Sequence, residues 1–168
     1  MRTDKVSKIL IALDYAPTAV KVAETGFLLA QTMSAKVILL HVLSEPVYYS
    51  SREYSPVIGF TGYMEMGTLK SVSIERLKNA SLLYLEDTKK QLGDKTILTI
   101  VKEGDFADSI LEAAKEVNAD IIVIGSHSRR WLEEILMGSV TEKVLHHTLT
   151  PLLIVPTKKA INSSSGIN

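Results

Sequence analysis

The stretch DIIVIGSHS, at residues 120–128, decides the assignment of the fold. Its unbroken apolar run is typical of a strand buried on both faces, and the run ends at Gly125. A polar, doubly basic loop follows, and Gly138 and Ser139 then begin a predicted helix with Ser139 in the capping position. A strand, a polar loop and a helix N-terminus in this order form a place where an anion can bind free backbone N–H groups.

Short apolar runs of the same kind recur along the chain and alternate with helical patterns. The predicted strands are 8–13, 36–42, 96–101, 121–124 and 152–155, and the predicted helices are 17–33, 68–92, one that begins after Asp105, and 139–147. Strands and helices joined by short connections predict βαβ units with right-handed crossovers. The expected fold class is therefore α/β, a five-stranded parallel sheet with helices on both faces.

Three of the predicted helices carry signals in their sequence. Asp105 is predicted to cap the third helix, since an Asp side chain accepts hydrogen bonds from first-turn amides. Ser139 and Glu142 match a capping box at the start of the fourth helix. In the first helix, the spacing of apolar residues predicts a buried face that includes Val20 and Ala23.

The chain is predicted to form one domain over residues 1–157. Residues 44–67 interrupt the alternation with two prolines and three glycines, and a loop of this length is expected to be a flexible flap over a cleft or an interface. Residues 158–168 are rich in Ser, Asn and Lys, and we expect them to form a disordered tail.

The composition excludes several classes of protein. Of 168 residues, 46% are hydrophobic, and 19 Lys and Arg balance 19 Asp and Glu, so no strong field favours nucleic acid or an anionic membrane. The chain has no cysteine, which excludes disulfides, thiolate metal sites and a Cys nucleophile. No apolar run approaches the roughly 18 residues of a membrane span, and we expect a cytoplasmic protein.

Several enzyme motifs are missing from the sequence. It contains no P-loop pattern, no Gly-x-Gly-x-x-Gly after the first strand and no Gly-x-Ser-x-Gly elbow. Ser126, His127 and Ser128 place hydroxyls beside an imidazole, but adjacent residues of one loop rarely achieve the geometry of a catalytic triad. We predict no catalytic residue and no metal-ligating residue, so that any hydrolysis would be slow.

The glycine spacing around the opening stretch resembles that of the nucleotide-binding branch of the universal stress protein family. Those members carry a glycine, two residues, a glycine, nine residues, and a glycine followed by Ser or Thr. Gly125, Gly138 and Ser139 match this pattern, and Ser128 stands at the position of the second glycine. The resemblance extends from Lys8 to Pro156, nearly the whole chain.

This resemblance implies a fold, a ligand and an assembly. The sheet would have the strand order 3-2-1-4-5 of a Rossmann-like, adenine nucleotide alpha hydrolase-like domain. Its cleft would bind ATP together with Mg²⁺, and the protein would act as a regulator in the stress response. A homodimer would form through the fifth strand, whose residues are Leu152, Leu153, Ile154 and Val155.

The resemblance also implies a set of nucleotide-binding residues, carried over position by position. Asp14 would hold the ribose or adenine side, while Ala12 and Val42 would line the adenine pocket. Around the phosphates, the backbone amides that follow Gly138 would form a cradle with the Ser139 hydroxyl. The full set is Ala12, Leu13, Asp14, Val42, Ile124, Gly125, His127, Ser128, Arg129, Gly138, Ser139, Val140 and Thr141.

The same residues also have simpler interpretations. Gly125 and Gly138 are also ordinary turn residues, and Asp14 could cap the first helix. A serine at position 128 with positive φ would cost about 1 kcal/mol, roughly a fivefold loss of occupancy, so we expect weakened ATP binding. Arg129 adds positive charge that offsets part of this cost. The alternative function is a dimeric interaction scaffold that binds no nucleotide.

Overall fold

The structure is a computed structural model that describes residues 5–44, 74–126 and 138–157. In these ranges the strands are β1 (Lys8–Ala12), β2 (Lys36–Leu43), β3 (Leu98–Glu103), β4 (Ile121–Gly125) and β5 (Leu152–Val155). The helices are α1 (Ala19–Met33), α2 (Ile74–Leu92), α3 (Phe106–Val117) and α4 (Ser139–His147). The strands pair in parallel in the order β3-β2-β1-β4-β5, which confirms the predicted α/β class and strand order.

Some predictions fall on residues that the structure does not describe. These are the flap beyond Ser44, the first turns of the second helix at 68–73, the tail at 158–168, and the site residues His127, Ser128 and Arg129. Across the described ranges, no helix combines the length and apolarity needed to cross a bilayer.

The sheet separates two layers of core. Successive side chains of a strand point to opposite faces, and in β1 Ile9 and Ile11 pack on the side of α1 and α2, while Leu10 packs on the side of α3. All three are fully buried, as expected for a central strand of a parallel sheet covered on both faces. This double burial explains the continuous apolar runs in the sequence.

Helix α1 buries a face that differs from the prediction. Ala23 is in the core as expected, but Val20 is 51% exposed, so its assignment to the buried face was wrong. The buried face also includes Val22 and Gly26, and a Cβ atom added at Gly26 would lie 2.6 Å from Ile11 Cδ1. Gly26 therefore lets α1 approach β1 closely, and Val20, two residues before Val22, points away from this face.

Strand β3 begins two residues later than its apolar pattern suggested. The Asp94 carboxylate accepts hydrogen bonds from the Thr96 amide at 2.8 Å and the Thr96 hydroxyl at 2.7 Å. These bonds hold Thr96 in the turn that follows α2, so pairing with β2 starts only at Leu98.

The two helices on the α3 face begin differently. Asp105 caps α3 as predicted, because its side chain accepts from the Asp108 amide at 3.0 Å. The predicted capping box of α4 is wrong, since Gly138 and not Ser139 is its N-cap residue and no side chain caps it. Ser139 is already inside the first turn, so Ser139 and Glu142 stand one position too late for the box.

Candidate functional site

A cleft of about 150 Å³ opens at the carboxyl edge of the sheet. The strand order reverses between β1 and β4, which is the position where doubly wound sheets bind ligands. A single water needs roughly 10–15 Å³ by a comparable measure, so the cleft can admit a small molecule. The ends of β1, β2 and β4 and the first turns of α3 and α4 form its walls.

The cleft brings together most of the predicted site residues. Nine of them line it, from four different elements or the loops that follow them: Ala12, Leu13, Asp14, Val42, Ile124, Gly125, Ser139, Val140 and Thr141. Gly138 does not line the cleft, but as the N-cap residue it sets the start of α4. The structure thus gathers in one place residues that lie as far apart in sequence as Ala12 and Thr141.

The first turn of α4 faces this cleft. Its first helical hydrogen bond runs from the Glu142 amide to the Gly138 carbonyl at 3.0 Å, so the amides of Ser139, Val140 and Thr141 precede the helical ladder. A helix N-terminus carries partial positive charge that favours anions. An anion such as a phosphate group is therefore the ligand that this wall suits best.

Thr141 connects the two predicted anion-binding segments. Its buried side chain donates a hydrogen bond of 2.9 Å to the Gly125 carbonyl, which ties the first turn of α4 to the end of β4. The amide after Gly125, that of Ser126, donates to the Val155 carbonyl at 2.9 Å and so belongs to the sheet. These bonds fix the end of β4 beside α4 and set the width of this part of the cleft.

Asp14 forms another part of the wall, just after the end of β1. Its carboxylate accepts a hydrogen bond from the Ala16 amide at 3.0 Å, which forms a local turn. The N-cap residue of α1 is Thr18, so the alternative that Asp14 caps this helix was wrong. The Asp14 carbonyl accepts from the Tyr84 hydroxyl at 2.7 Å, which attaches this wall to α2.

A cluster of three rings, Tyr15, His41 and Tyr84, lies beside Asp14, and Tyr15 and His41 themselves line the cleft. The centroids of Tyr15 and His41 are 4.2 Å apart, and those of Tyr15 and Tyr84 are 4.9 Å apart. The Tyr15 hydroxyl lies 2.5 Å from that of Ser81 on α2. Burial, followed by the charge of Asp14, raises the pKa of Tyr84 above its usual range, so its hydroxyl stays protonated and donates.

His41 is the buried member of this cluster. Burial lowers the pKa of His41 to about 4, against smaller opposing effects of the Leu13 carbonyl and Asp14, so the ring is neutral at pH 7. Its Nδ1 donates to the Leu13 carbonyl at 2.7 Å. Its Nε2 is then an acceptor, and it has no hydrogen-bond partner among the residues that the structure describes.

Several cleft residues were not predicted from the sequence. They include Tyr15, Thr18, Phe106, Ile110 and Thr157. Tyr15 could have been found because it directly follows Asp14, and Phe106 because it follows the Gly104-Asp105 turn at the end of β3. Thr157 carries no such signal, since only the fold brings its amide within 3.2 Å of the Ser126 hydroxyl oxygen.

The described residues offer donors for a phosphate rather than a metal site. No group of three or more His, Cys, Asp or Glu side chains in residues 5–44, 74–126 and 138–157 is arranged to hold a metal ion. Mg²⁺ usually binds through substrate phosphates, waters and one or two carboxylates, so it does not require such a group. The donor set thus fits a nucleotide that brings its own Mg²⁺.

Comparison with known proteins gives consistent relatives. The model of the universal stress protein family matches residues 5–156. Universal stress protein MJ0577 of Methanocaldococcus jannaschii is 33% identical and covers 91% of this chain and 96% of its own length. Universal stress protein YxiE of Bacillus subtilis is 31% identical, with coverage of 89% and 98%.

Solved structures show the same architecture. The structure of MJ0577 superposes with a TM-score of 0.67 at 30% sequence identity and covers 93% of this chain and 99% of that protein. A universal stress protein crystallised in complex with cAMP superposes with a TM-score of 0.58, with coverage of 90% and 98%, and at 21% identity this likeness shows the fold alone. The match to the family model over residues 5–156 and the relatives of at least 30% identity place this chain in the universal stress protein family.

Proposed function

We propose that the cleft binds an adenine nucleotide, ATP with Mg²⁺, and that the protein is a regulator that acts through this binding. The observation that carries the proposal is that the first-turn amides of α4 open on the same cleft as Asp14 and Val42. One end of the cleft can hold an anion, and the other offers an apolar wall with a carboxylate at its rim. A nucleotide combines in one molecule the three groups that suit these features: phosphates, a planar base and ribose hydroxyls.

Backbone amides and one hydroxyl form the proposed phosphate end of the cleft. The amides of Ser139 and Val140 and the exposed Ser139 hydroxyl are donors at the positive end of α4. A hydrogen bond to a charged group contributes about 1.5–3 kcal/mol, so two or three of them suffice for binding in the micromolar to millimolar range. Ser128 and Arg129, outside the described residues, are proposed to approach the same phosphates.

The proposed base end of the cleft combines an apolar wall with one charged side chain. Ala12 and Val42 line this part, and Val42 is buried, as in pockets that hold planar rings. Among the described lining residues, Asp14 is the charged one, and its carboxylate can accept hydrogen bonds from ribose hydroxyls. A universal stress protein of this fold was crystallised with cAMP, which is itself an adenine nucleotide.

Calorimetric titration tests this function. We expect ATP with Mg²⁺ to give saturable heat with one site per chain, and adenosine alone and tripolyphosphate alone to bind more weakly because each fills one end of the cleft. No heat at millimolar ATP would contradict the proposal and favour the interaction scaffold that binds no nucleotide. Equal affinity for ATP and tripolyphosphate would show that the base does not contribute to binding.

The homodimer is proposed to form through the open edge of β5. The Pro151 and Val155 carbonyls accept hydrogen bonds of 2.9 Å from the amides of Ile122 and Ser126. Because peptide groups alternate between the two sides of a strand, the N–H and C=O groups of Leu152 and Ile154 point away from β4. An apolar edge with unpaired groups favours pairing with a second copy. As part of the same proposal, the protein acts in the cytoplasm, which a sequence without cysteine permits.

A proline at position 154 tests the dimer with little effect on the sheet. Because the Ile154 N–H points outward, Ile154→Pro removes an edge donor and no bond to β4. Thr99→Pro in β3, at the opposite edge of the sheet, is the matched control. The Gly104 amide donates to the Leu43 carbonyl, and since peptide groups alternate along a strand, the Thr99 N–H points away from β2. Light scattering should show a monomer for Ile154→Pro and a dimer for Thr99→Pro; a dimer in both would contradict this interface.

A further inference from the structure

The cleft has two chemically unlike sides. On the α3 face the lining is apolar and includes Leu40, Val42, Phe106 and Ile110, while His41 of β2 also lines the cleft and packs on the Tyr15 ring. On the side of β4 and α4 the lining includes the hydroxyl residues Ser139, Thr141 and Thr157. The proposed phosphate end lies on the second side, so the part of a nucleotide that remains, its base, falls on the first.

Phe106 stands on the apolar side as the first residue of α3. It is half-buried, because one part of the side chain packs on the core cluster that contains Ala107 and Ile110 and another part lines the cleft. An aromatic side chain in this position presents a large, rigid apolar surface with only two rotatable bonds. The other aromatic rings of the described lining, Tyr15 and His41, pack on each other with centroids 4.2 Å apart, whereas Phe106 lies with the apolar residues of the α3 face.

The main chain that carries Phe106 is fixed from both sides. Asp105, the preceding residue, caps α3, because its side chain accepts a hydrogen bond of 3.0 Å from the Asp108 amide. Lys143 of α4 reaches across with its Nζ 3.0 Å from both carboxylates. These ion pairs are exposed and stabilise the fold little, but they link the helix that carries Phe106 to the helix whose amides face the proposed phosphates.

We propose that Phe106 is the residue that stacks on the base of the bound nucleotide and makes the cleft prefer ligands with a base over bare sugar phosphates. This inference rests on the proposed nucleotide binding and adds a residue that determines specificity. Stacking on an aromatic face is favourable for every base and stronger where the overlap is larger. Phe106 therefore favours purines over pyrimidines and does not by itself distinguish adenine from guanine.

A pair of matched substitutions tests the role of Phe106. Phe106→Leu keeps an apolar side chain but removes the ring, and Phe27→Leu makes the same change at a half-buried residue of α1 that packs in the other core layer and does not line the cleft. Each protein is titrated with AMP and with ribose 5-phosphate, which lacks the base. We expect Phe106→Leu to raise the Kd for AMP about tenfold and to leave the Kd for ribose 5-phosphate unchanged.

The controls separate stacking from support of the fold. Phe106→Tyr should restore AMP binding to within about twofold, and Phe27→Leu should change neither Kd, while thermal midpoints show whether each variant is folded. Phe106→Met takes the place of the leucine variant if the latter unfolds. An unchanged Kd for AMP in Phe106→Leu, or an equal loss of affinity for AMP and ribose 5-phosphate, would overturn the assignment of Phe106 to the base but not the proposed nucleotide binding. A wild-type protein that binds neither AMP nor ATP with Mg²⁺ would overturn the proposed function together with it; if it binds ATP but not AMP, ATP and tripolyphosphate take the place of the two ligands.

Discussion

Replacing Ser139 with proline removes one amide donor from the cleft while leaving α4 intact. Ser139 is the first helical residue, a position at which the fixed φ of proline, about −65°, is favourable. The residue before a proline must be extended, and Gly138 already has φ −63° and ψ 151°. Because the Ser139 amide precedes the first helical bond, its loss removes nothing from the helical ladder.

The magnitude follows from the one hydrogen bond that is lost. An amide bound to a charged phosphate contributes about 1.5–3 kcal/mol, which corresponds to roughly 10- to 150-fold in Kd. Ser139 is exposed, so solvent screening places the expectation near the lower end, at about tenfold. Ser139→Ala removes the hydroxyl alone and is the reference against which the amide is measured. The free energy of unfolding should differ between the two by less than about 1 kcal/mol.

Titration calorimetry of both variants with ATP and Mg²⁺ and with adenosine measures this effect. We expect Ser139→Pro to bind ATP about tenfold more weakly than Ser139→Ala, while both bind adenosine equally because it has no phosphate. Equal ATP affinity of the two variants, with unchanged thermal midpoints, would refute the assignment of this amide to the phosphate. A loss of adenosine binding in Ser139→Pro alone would show that the substitution distorts the cleft.

Two further predictions concern the stability of the scaffold. The pKa of His41 is about 4 in the folded protein against 6.5 in the unfolded chain, so the folded state favours the neutral ring; its contribution is present above pH 6.5 and is lost as the pH falls towards 4. Between pH 7 and pH 4, the free energy of unfolding measured with urea should therefore fall by about 3 kcal/mol more in the wild type than in His41→Phe. Equal decreases in the two proteins would refute this prediction. Gly26→Ala should lower the free energy of unfolding by about 1–3 kcal/mol, because the added Cβ would lie 2.6 Å from Ile11 Cδ1, and a raised urea midpoint would contradict the close contact.

The fold was accessible from the sequence because its main signals are local. A central parallel strand such as β1 is buried on both faces, so its apolar run is continuous and hard to mistake. The strand order 3-2-1-4-5 came from the family resemblance, which depends on glycine spacing around Gly125 and Gly138. The structure confirms this order and places Asp14 and Ser139, 125 residues apart in sequence, at one cleft.

The parts that sequence analysis missed depend on contacts between distant or competing groups. Val20 fits the apolar period of α1, but the close contact of Gly26 with Ile11 centres the buried face on Val22 and Gly26 and leaves Val20 exposed. Ser139 looks like a cap, but the extended backbone of Gly138 moves the start of α4 one residue earlier. Phe106 was not predicted as a site residue although it follows the Gly104-Asp105 turn, because it also fits the apolar pattern of an ordinary helix.

Amide chemical shifts measured during a nucleotide titration show which backbone amides contact the ligand. The first-turn amides of α4 are proposed to bind the phosphates of a nucleotide whose base lies against β1 and β2. Titration of the ¹⁵N-labelled protein with ATP and Mg²⁺ should give saturable shifts that are largest at Ser139, Val140 and Thr141, and adenosine should move the Val42 amide but leave those three nearly unchanged. Saturable binding that moves amides elsewhere and leaves the start of α4 unchanged would contradict the account.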